Sequence, residues 1–163
     1  MNILKKKTLW LTLYTILISL LFLYLLFPSD LVQSRLEEAF HSTDFVLKTK
    51  SLKPSLPLGI KLKNAAISSA SSAHVIFQSD LLDIQIKPLS LFQKNTQIRI
   101  SGKAYGGIFD GQFGLNSLAK IYPLKEGLLN FQNVDLARYA SIKTLLGKEI
   151  TGKAKGSWKY QTG

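Results

Sequence analysis

Gln97-Ile98-Arg99-Ile100-Ser101-Gly102-Lys103-Ala104 sets the architecture of this chain. Ile98, Ile100, Gly102 and Ala104 alternate with Gln97, Arg99, Ser101 and Lys103. A period of two marks a half-buried strand, because successive side chains leave opposite faces of a sheet. The pattern recurs to either side. Ile60 and Leu62 alternate with Lys61 and Lys63, and Leu82, Ile84 and Ile86 alternate with Asp83, Gln85 and Lys87. Further on, Ile150, Gly152, Ala154, Gly156, Trp158 and Tyr160 alternate with Lys153, Lys155, Ser157 and Lys159. One apolar face and one wet, cationic face suit an antiparallel sheet. The expected fold is mainly β: a curved antiparallel sheet, forming a groove or a sandwich, with short helices.

Upstream of the strands, nineteen residues from Leu9 to Phe27 carry no charge, and Lys5-Lys6-Lys7 stand before them. At about 1.5 Å per residue this stretch matches the roughly 30 Å hydrocarbon core of a bilayer. It is longer than the apolar run of a cleavable signal, and the bulky Leu25-Leu26-Phe27-Pro28 offers no cleavage site. The segment reads as a single transmembrane signal anchor carried by Leu9, Trp10, Leu13, Ile16, Leu20, Phe22, Leu25 and Phe27. Lys5, Lys6 and Lys7 would hold the N-terminus in the cytoplasm. The chain then divides into a basic cytoplasmic tail (1–8), the anchor (9–27), a juxtamembrane amphipathic helix (28–43) and a β-rich domain (44–163). In a Gram-negative cell that domain lies in the periplasm and the anchor in the inner membrane. Gly163 follows directly on a strand, so further chain or a partner strand is expected there.

The 21 Lys and Arg against 10 Asp and Glu give a net charge of +11. A basic surface meets nucleic acid, anionic headgroups or acidic partners. Outside the inner membrane nucleic acid drops out, leaving headgroups and proteins. Cysteine is absent, which excludes disulfides, thiolate metal sites and a cysteine nucleophile.

The juxtamembrane helix is expected to start with Asp30 as N-cap and to bury Leu31, Val32, Leu36 and Phe40, fading near His41-Ser42-Thr43. Pro88-Leu89-Ser90-Leu91-Phe92 reads as one helical turn on the membrane-proximal side. Asp135 to Leu146 reads as a helix closed by Gly147.

No reaction centre assembles. Gly147 to Lys153 fits GxxxxGK, but Ala154 stands where Ser or Thr must hold magnesium, and the segment leaves a helix for a strand, the reverse of a phosphate loop. Nucleotide is therefore not an expected partner. His41 and His74 have no ligand-spaced neighbours, so neither metal nor cofactor is expected. Strict alternation puts Asp80 and Asp83 on opposite faces, away from paired-carboxylate chemistry. Ser68-Ser69-Ala70-Ser71-Ser72 reads as a loop. The chain is expected not to be an enzyme.

On the apolar face glycine often replaces Val or Ile, at Gly102, Gly106, Gly107, Gly111 and Gly114 and again at Gly152 and Gly156. Strand glycines serve curvature and turns, or keep a groove floor open for an apolar guest. The candidate groove comprises Leu82, Ile84, Ile86, Ile98, Ile100, Phe109, Phe113, Phe131 and Trp158. The same nine would equally fill an ordinary core, since each buried apolar side chain contributes roughly 1.5–3 kcal/mol.

The order of features resembles a known family. After the anchor and helix come Pro57-Leu58-Gly59-Ile60-Lys61-Leu62-Lys63-Asn64, then Lys87-Pro88-Leu89-Ser90-Leu91-Phe92. Gly102-Lys103-Ala104-Tyr105-Gly106-Gly107, Phe109-Asp110-Gly111, Val134-Asp135-Leu136 and Gly147-Lys148-Glu149-Ile150-Thr151-Gly152 complete the set. This is similar to the N-terminal part of the general secretion pathway protein N family (GspN), and more broadly to AsmA-like envelope proteins. The resemblance implies a non-enzymatic, inner-membrane-anchored subunit of type II secretion that works through other secretion-system subunits. AsmA-like relatives imply instead phospholipid transfer along an apolar β groove. A lipopolysaccharide-handling protein with one anchor would share the layout.

Overall fold

Two helices and eight strands follow one another: α1 (Ile3–Leu25), α2 (Ser29–His41), β1 (Phe45–Lys48), β2 (Ser51–Ser55), β3 (Gly59–Ser69), β4 (Val75–Ile86), β5 (Thr96–Ala104), β6 (Gly107–Ser117), β7 (Lys120–Asp135) and β8 (Lys153–Gln161). This computed structural model describes residues 3–41, 44–72, 74–93, 95–117, 120–139, 147–148 and 150–162. All strand pairs are antiparallel, in the order β1-β3-β4-β5-β6-β7-β8, with β2 continuing β1 along the edge of β3. The chain is thus mainly β, one curved sheet behind an apolar helix.

Within α1, Lys7–Leu25 has a mean hydropathy of 2.0, and none of it is buried against the rest of the protein. It is long and apolar enough to cross a membrane. The Thr12 and Thr15 hydroxyls donate to the carbonyls four residues back, each at 2.9 Å. Their polar groups are therefore satisfied inside the helix, as hydrocarbon demands. Phe27, expected at the end of the anchor, follows the helix and packs against the domain core instead.

The juxtamembrane helix begins two residues earlier than expected. The Pro28 carbonyl already accepts from the Val32 amide at 3.0 Å, so Asp30 sits inside the first turn, where its charge complements the helix dipole. Val32, Leu36 and Phe40 pack against the core, whereas Leu31 is 61 % exposed.

That core lies where α2 crosses the start of the sheet: Leu47, Leu52, Leu62, Ala65 and Leu82, with Ile60, Ile67 and Ile84 beside them. Simple alternation cannot bury both Leu62 and Ala65. Asn64 adopts a φ of 50°, and the alternation of β3 slips there by one residue. β4 slips opposite it, so Ser79 and Leu82 are its buried residues. Asp80 consequently shares the outer face with Asp83, contrary to the expectation from strict alternation. Asp83 is engaged by its cross-strand neighbour Lys61 at 3.4 Å and by the Ser55 hydroxyl at 3.1 Å.

Two turns complete the frame. Tyr105 and Gly106, both at positive φ, form the two-residue link between β5 and β6. Asp135 ends β7 and accepts from the Ala137 amide, capping a 3-10 turn at Leu136–Arg138. The helix expected over 135–146 begins as that short turn, and its later part lies outside the described residues.

Leu62 is 1 % exposed beneath α2. Replacing Leu62 with Ala should lower unfolding stability by about 2–5 kcal/mol in detergent micelles, by denaturant titration followed by circular dichroism. Leu128→Ala, on the outer face, should cost less than about 1 kcal/mol.

Candidate functional site: one apolar sheet face

The strand registers bring all nine candidate groove residues to one face. Ile86, Ile98, Phe113, Gly127 and Tyr160 stand side by side on successive strands. A second row runs through Ile60, Ile84, Ile100, Gly111, Leu129 and Trp158. A third runs through Leu52, Leu62, Leu82, Gly102, Phe109, Phe131 and Gly156. Every cross-strand neighbour in these rows is apolar or glycine, so the face is continuous from one edge of the sheet to the other. Leu129 and Tyr160 belong to it and were not among the nine. The signal for Leu129 was hidden because Leu128 and Leu129 are adjacent, and only the register of β7 shows which one turns inward.

The glycines do not leave the floor open. A Cβ built at Gly102 would stand 2.9 Å from the Phe109 ring, and at Gly111 2.9 Å from the Phe113 ring. At Gly127 it would meet Trp158 at 3.0 Å, and at Gly156 the Phe131 ring at 2.7 Å. Each glycine is thus roofed by an aromatic ring of its own face. The space above these four glycines is thus already filled by rings, and an apolar guest would rest on them.

Coverage changes along the sheet. The buried members of the core cluster all belong to β1–β4, beneath α2. On β5–β8, Ile98, Ile100, Phe113, Leu129 and Phe131 are half-buried, while Trp158 is 45 % and Tyr160 40 % exposed. The Trp158 and Tyr160 rings stack in parallel at 5.8 Å on the last strand.

The opposite face is polar. Arg99 holds Asp110 through two contacts of 2.8 Å, an exposed pair worth at most about 1 kcal/mol. Two depressions of 340 and 320 Å³ draw on both faces: Gln97 and Gln112 line both, with Lys159, Phe113 and Tyr160 in one and Arg99, Ile86 and Ile98 in the other. No cluster of metal-ligating side chains occurs among the described residues.

At the end of the sheet carrying the β5–β6 turn, Phe77, Tyr105, Phe109 and Tyr139 pack edge to face, with centroid separations of 5.1 to 6.2 Å. The Tyr105 hydroxyl accepts the Gln78 amide at 2.7 Å. Burial raises the Tyr105 pKa above its ordinary value of 10.0, the Gln78 hydrogen bond partly offsets this, and Tyr139 adds to the rise.

The anchor residues Leu9, Trp10, Leu13, Ile16, Leu20, Phe22 and Leu25 are spread around α1, each at least half exposed. Lys5, Lys6 and Lys7 lie in its first turns. No family model, curated protein or solved structure matches the chain, so the reading of function rests on the geometry of the sheet.

A Cβ at Gly102 would also lie 2.1 Å from the Leu81 carbonyl oxygen, a backbone atom that cannot swing away. Gly102→Ala should destabilise the sheet by about 1–3 kcal/mol and redshift aromatic fluorescence as Phe109 and its neighbours loosen. For Tyr105 the folded state favours the neutral phenol. Its contribution is complete below pH 10.0 and is lost as pH climbs through the raised value. Stability measured from pH 9 to 12 should fall, and Tyr105→Phe should flatten that part of the profile.

Proposed function

We propose that this chain is a membrane-anchored, non-enzymatic lipid-holding protein. In this reading α1 spans the inner membrane of a Gram-negative cell with Lys5, Lys6 and Lys7 in the cytoplasm. The β domain stands in the periplasm and carries acyl chains on its apolar face. The observation that carries the reading is the uneven cover of that face among the described residues: three apolar rows run from β2, β3 and β4 to β8, and α2 packs against the strands at the start of the sheet. Aromatic and aliphatic groups without hydrogen-bonding partners suit hydrocarbon, and the outer lysines suit phosphate headgroups. Transfer to or from the outer membrane follows as the task of such a carrier, as in AsmA-like proteins.

A second reading is favoured by the last strand. β8 pairs with β7 on one side and with no described strand on the other, so it offers main-chain donors and acceptors to a partner. A subunit of the type II secretion machinery resembling GspN would use that edge to join its neighbours.

Deleting the gene separates the two. Leakage of the outer membrane to a large antibiotic with normal secretion is the outcome expected for lipid transfer. Exoprotein retained in the periplasm without leakage would replace it with the secretion reading. Mass spectrometry of the purified full chain should find co-purifying phospholipid, depleted in Ile100→Lys; a lipid-free preparation would count against the carrier.

A further inference from the structure

At the end of the sheet opposite the β5–β6 turn, the structure displays large apolar side chains on loops. Leu89 is 71 % exposed, Leu91 40 % and Phe92 91 %, all on the 3-10 turn Pro88–Phe92 between β4 and β5. Leu56 is 62 % exposed and Leu58 39 % exposed on the turn between β2 and β3. The two loops are fastened together. The Ile86 amide donates to the Leu58 carbonyl at 2.8 Å, and the Gln85 side chain donates to the Leu56 carbonyl at 3.2 Å.

The 3-10 turn is inside out. Its one buried residue is Ser90, 1 % exposed, whose hydroxyl donates to the Lys87 carbonyl at 2.6 Å and accepts from the Gln97 amide at 2.9 Å. A polar residue thus pins the turn while its leucines and phenylalanine face outward. Such an apolar cluster held rigidly in water marks a surface that meets something apolar.

What it meets is indicated by where the anchor joins. The Ala70 amide donates to Asp44, so the chain enters β1 from the β3–β4 turn, at the other end of the sheet. Gln33 of α2 donates to the Thr49 carbonyl at 3.0 Å, halfway along the β1–β2 edge. α2 therefore runs away from the apolar loops, and its N-terminus, where the anchor joins, lies on their side. Lys53 and Lys87, both exposed, flank the cluster with positive charge. Apolar side chains at the tip with lysines behind them form the pattern of a bilayer-interface contact.

We propose that this end of the sheet rests in the bilayer that α1 spans. Leu56, Leu58, Leu89, Leu91 and Phe92 enter the boundary between headgroups and acyl chains, and Lys53 and Lys87 meet anionic phosphates. The inference rests on the membrane-spanning reading of α1 but not on lipid carriage. It gives the domain two attachments, and so a fixed stance in place of a swinging tether.

The chain has no cysteine, so single cysteines can be labelled in the full-length protein. Leu89→Cys, Phe92→Cys, Ser71→Cys and Leu17→Cys would each carry a nitrobenzoxadiazole dye in vesicles of phosphatidylethanolamine and phosphatidylglycerol. Ser71 lies on the exposed turn at the other end of the sheet, and Leu17 in mid-anchor. Expected are blue-shifted emission at 89 and 92 with loss of most of it to lipids bearing a shallow nitroxide, no quenching at 71, and quenching at 17 by a deep nitroxide. Quenching at 17 with 89 and 92 behaving like 71 overturns the proposal and leaves the anchor standing. Absence of quenching at 17 overturns the spanning reading and the proposal with it.

Discussion

Among the described residues eight strands share one apolar face, and one 13-residue helix packs against it. A helix of that length is about 20 Å long and about 10 Å across, whereas strands spaced about 4.8 Å apart make eight of them several times wider. α2 can therefore dry only the strands it crosses. Leu47, Leu52, Leu62, Ala65 and Leu82 form the core cluster there, while Ile98, Ile100, Phe113, Leu129 and Phe131 stay half-buried and only Ala104 and Leu115 among the described apolar residues of β5–β8 are fully enclosed. The difference between a core and a surface here is one of cover and not of composition.

The protein manages the uncovered part by laying aromatic rings over glycines. A Gly beside a Phe or Trp, in the same row or the next, leaves room for the ring to cover the bare backbone. Gly127 beneath Trp158 and Gly156 beneath Phe131 are two instances. The glycines' cost in strand propensity, of order 1 kcal/mol each, is offset by the ring contacts that replace a Cβ.

Much of this was legible in the sequence. The alternation in Gln97–Ala104 and its neighbours fixed the strand class, and the nine apolar candidates do share a face, because period-two parity holds along the stretches that carry them. The turn at Pro88–Phe92 was legible from its proline. What parity cannot carry is a change of phase: Asn64 adopts a left-handed conformation that any Asn tolerates, and nothing in its identity announces that β3 and β4 both slip there. Nor does a list of glycines reveal what lies above them, since Phe131 reaches Gly156 only through the register of β7 against β8. Of the two readings of the strand glycines, an open floor is not what Gly102, Gly111, Gly127 and Gly156 provide, since a ring lies over each. Likewise, Pro88–Phe92 reads as a turn from its sequence, but only the buried hydroxyl of Ser90 shows which way its leucines face.

The lysines of β8 have a bearing on how the protein behaves at high local density in a membrane. Two copies meeting antiparallel about Ser157 would set Lys155 of each against Lys159 of the other. Like charges directly opposed weaken such a pairing. In that register the edge disfavours pairing with its own copy, a form of kin exclusion written into alternate residues of β8.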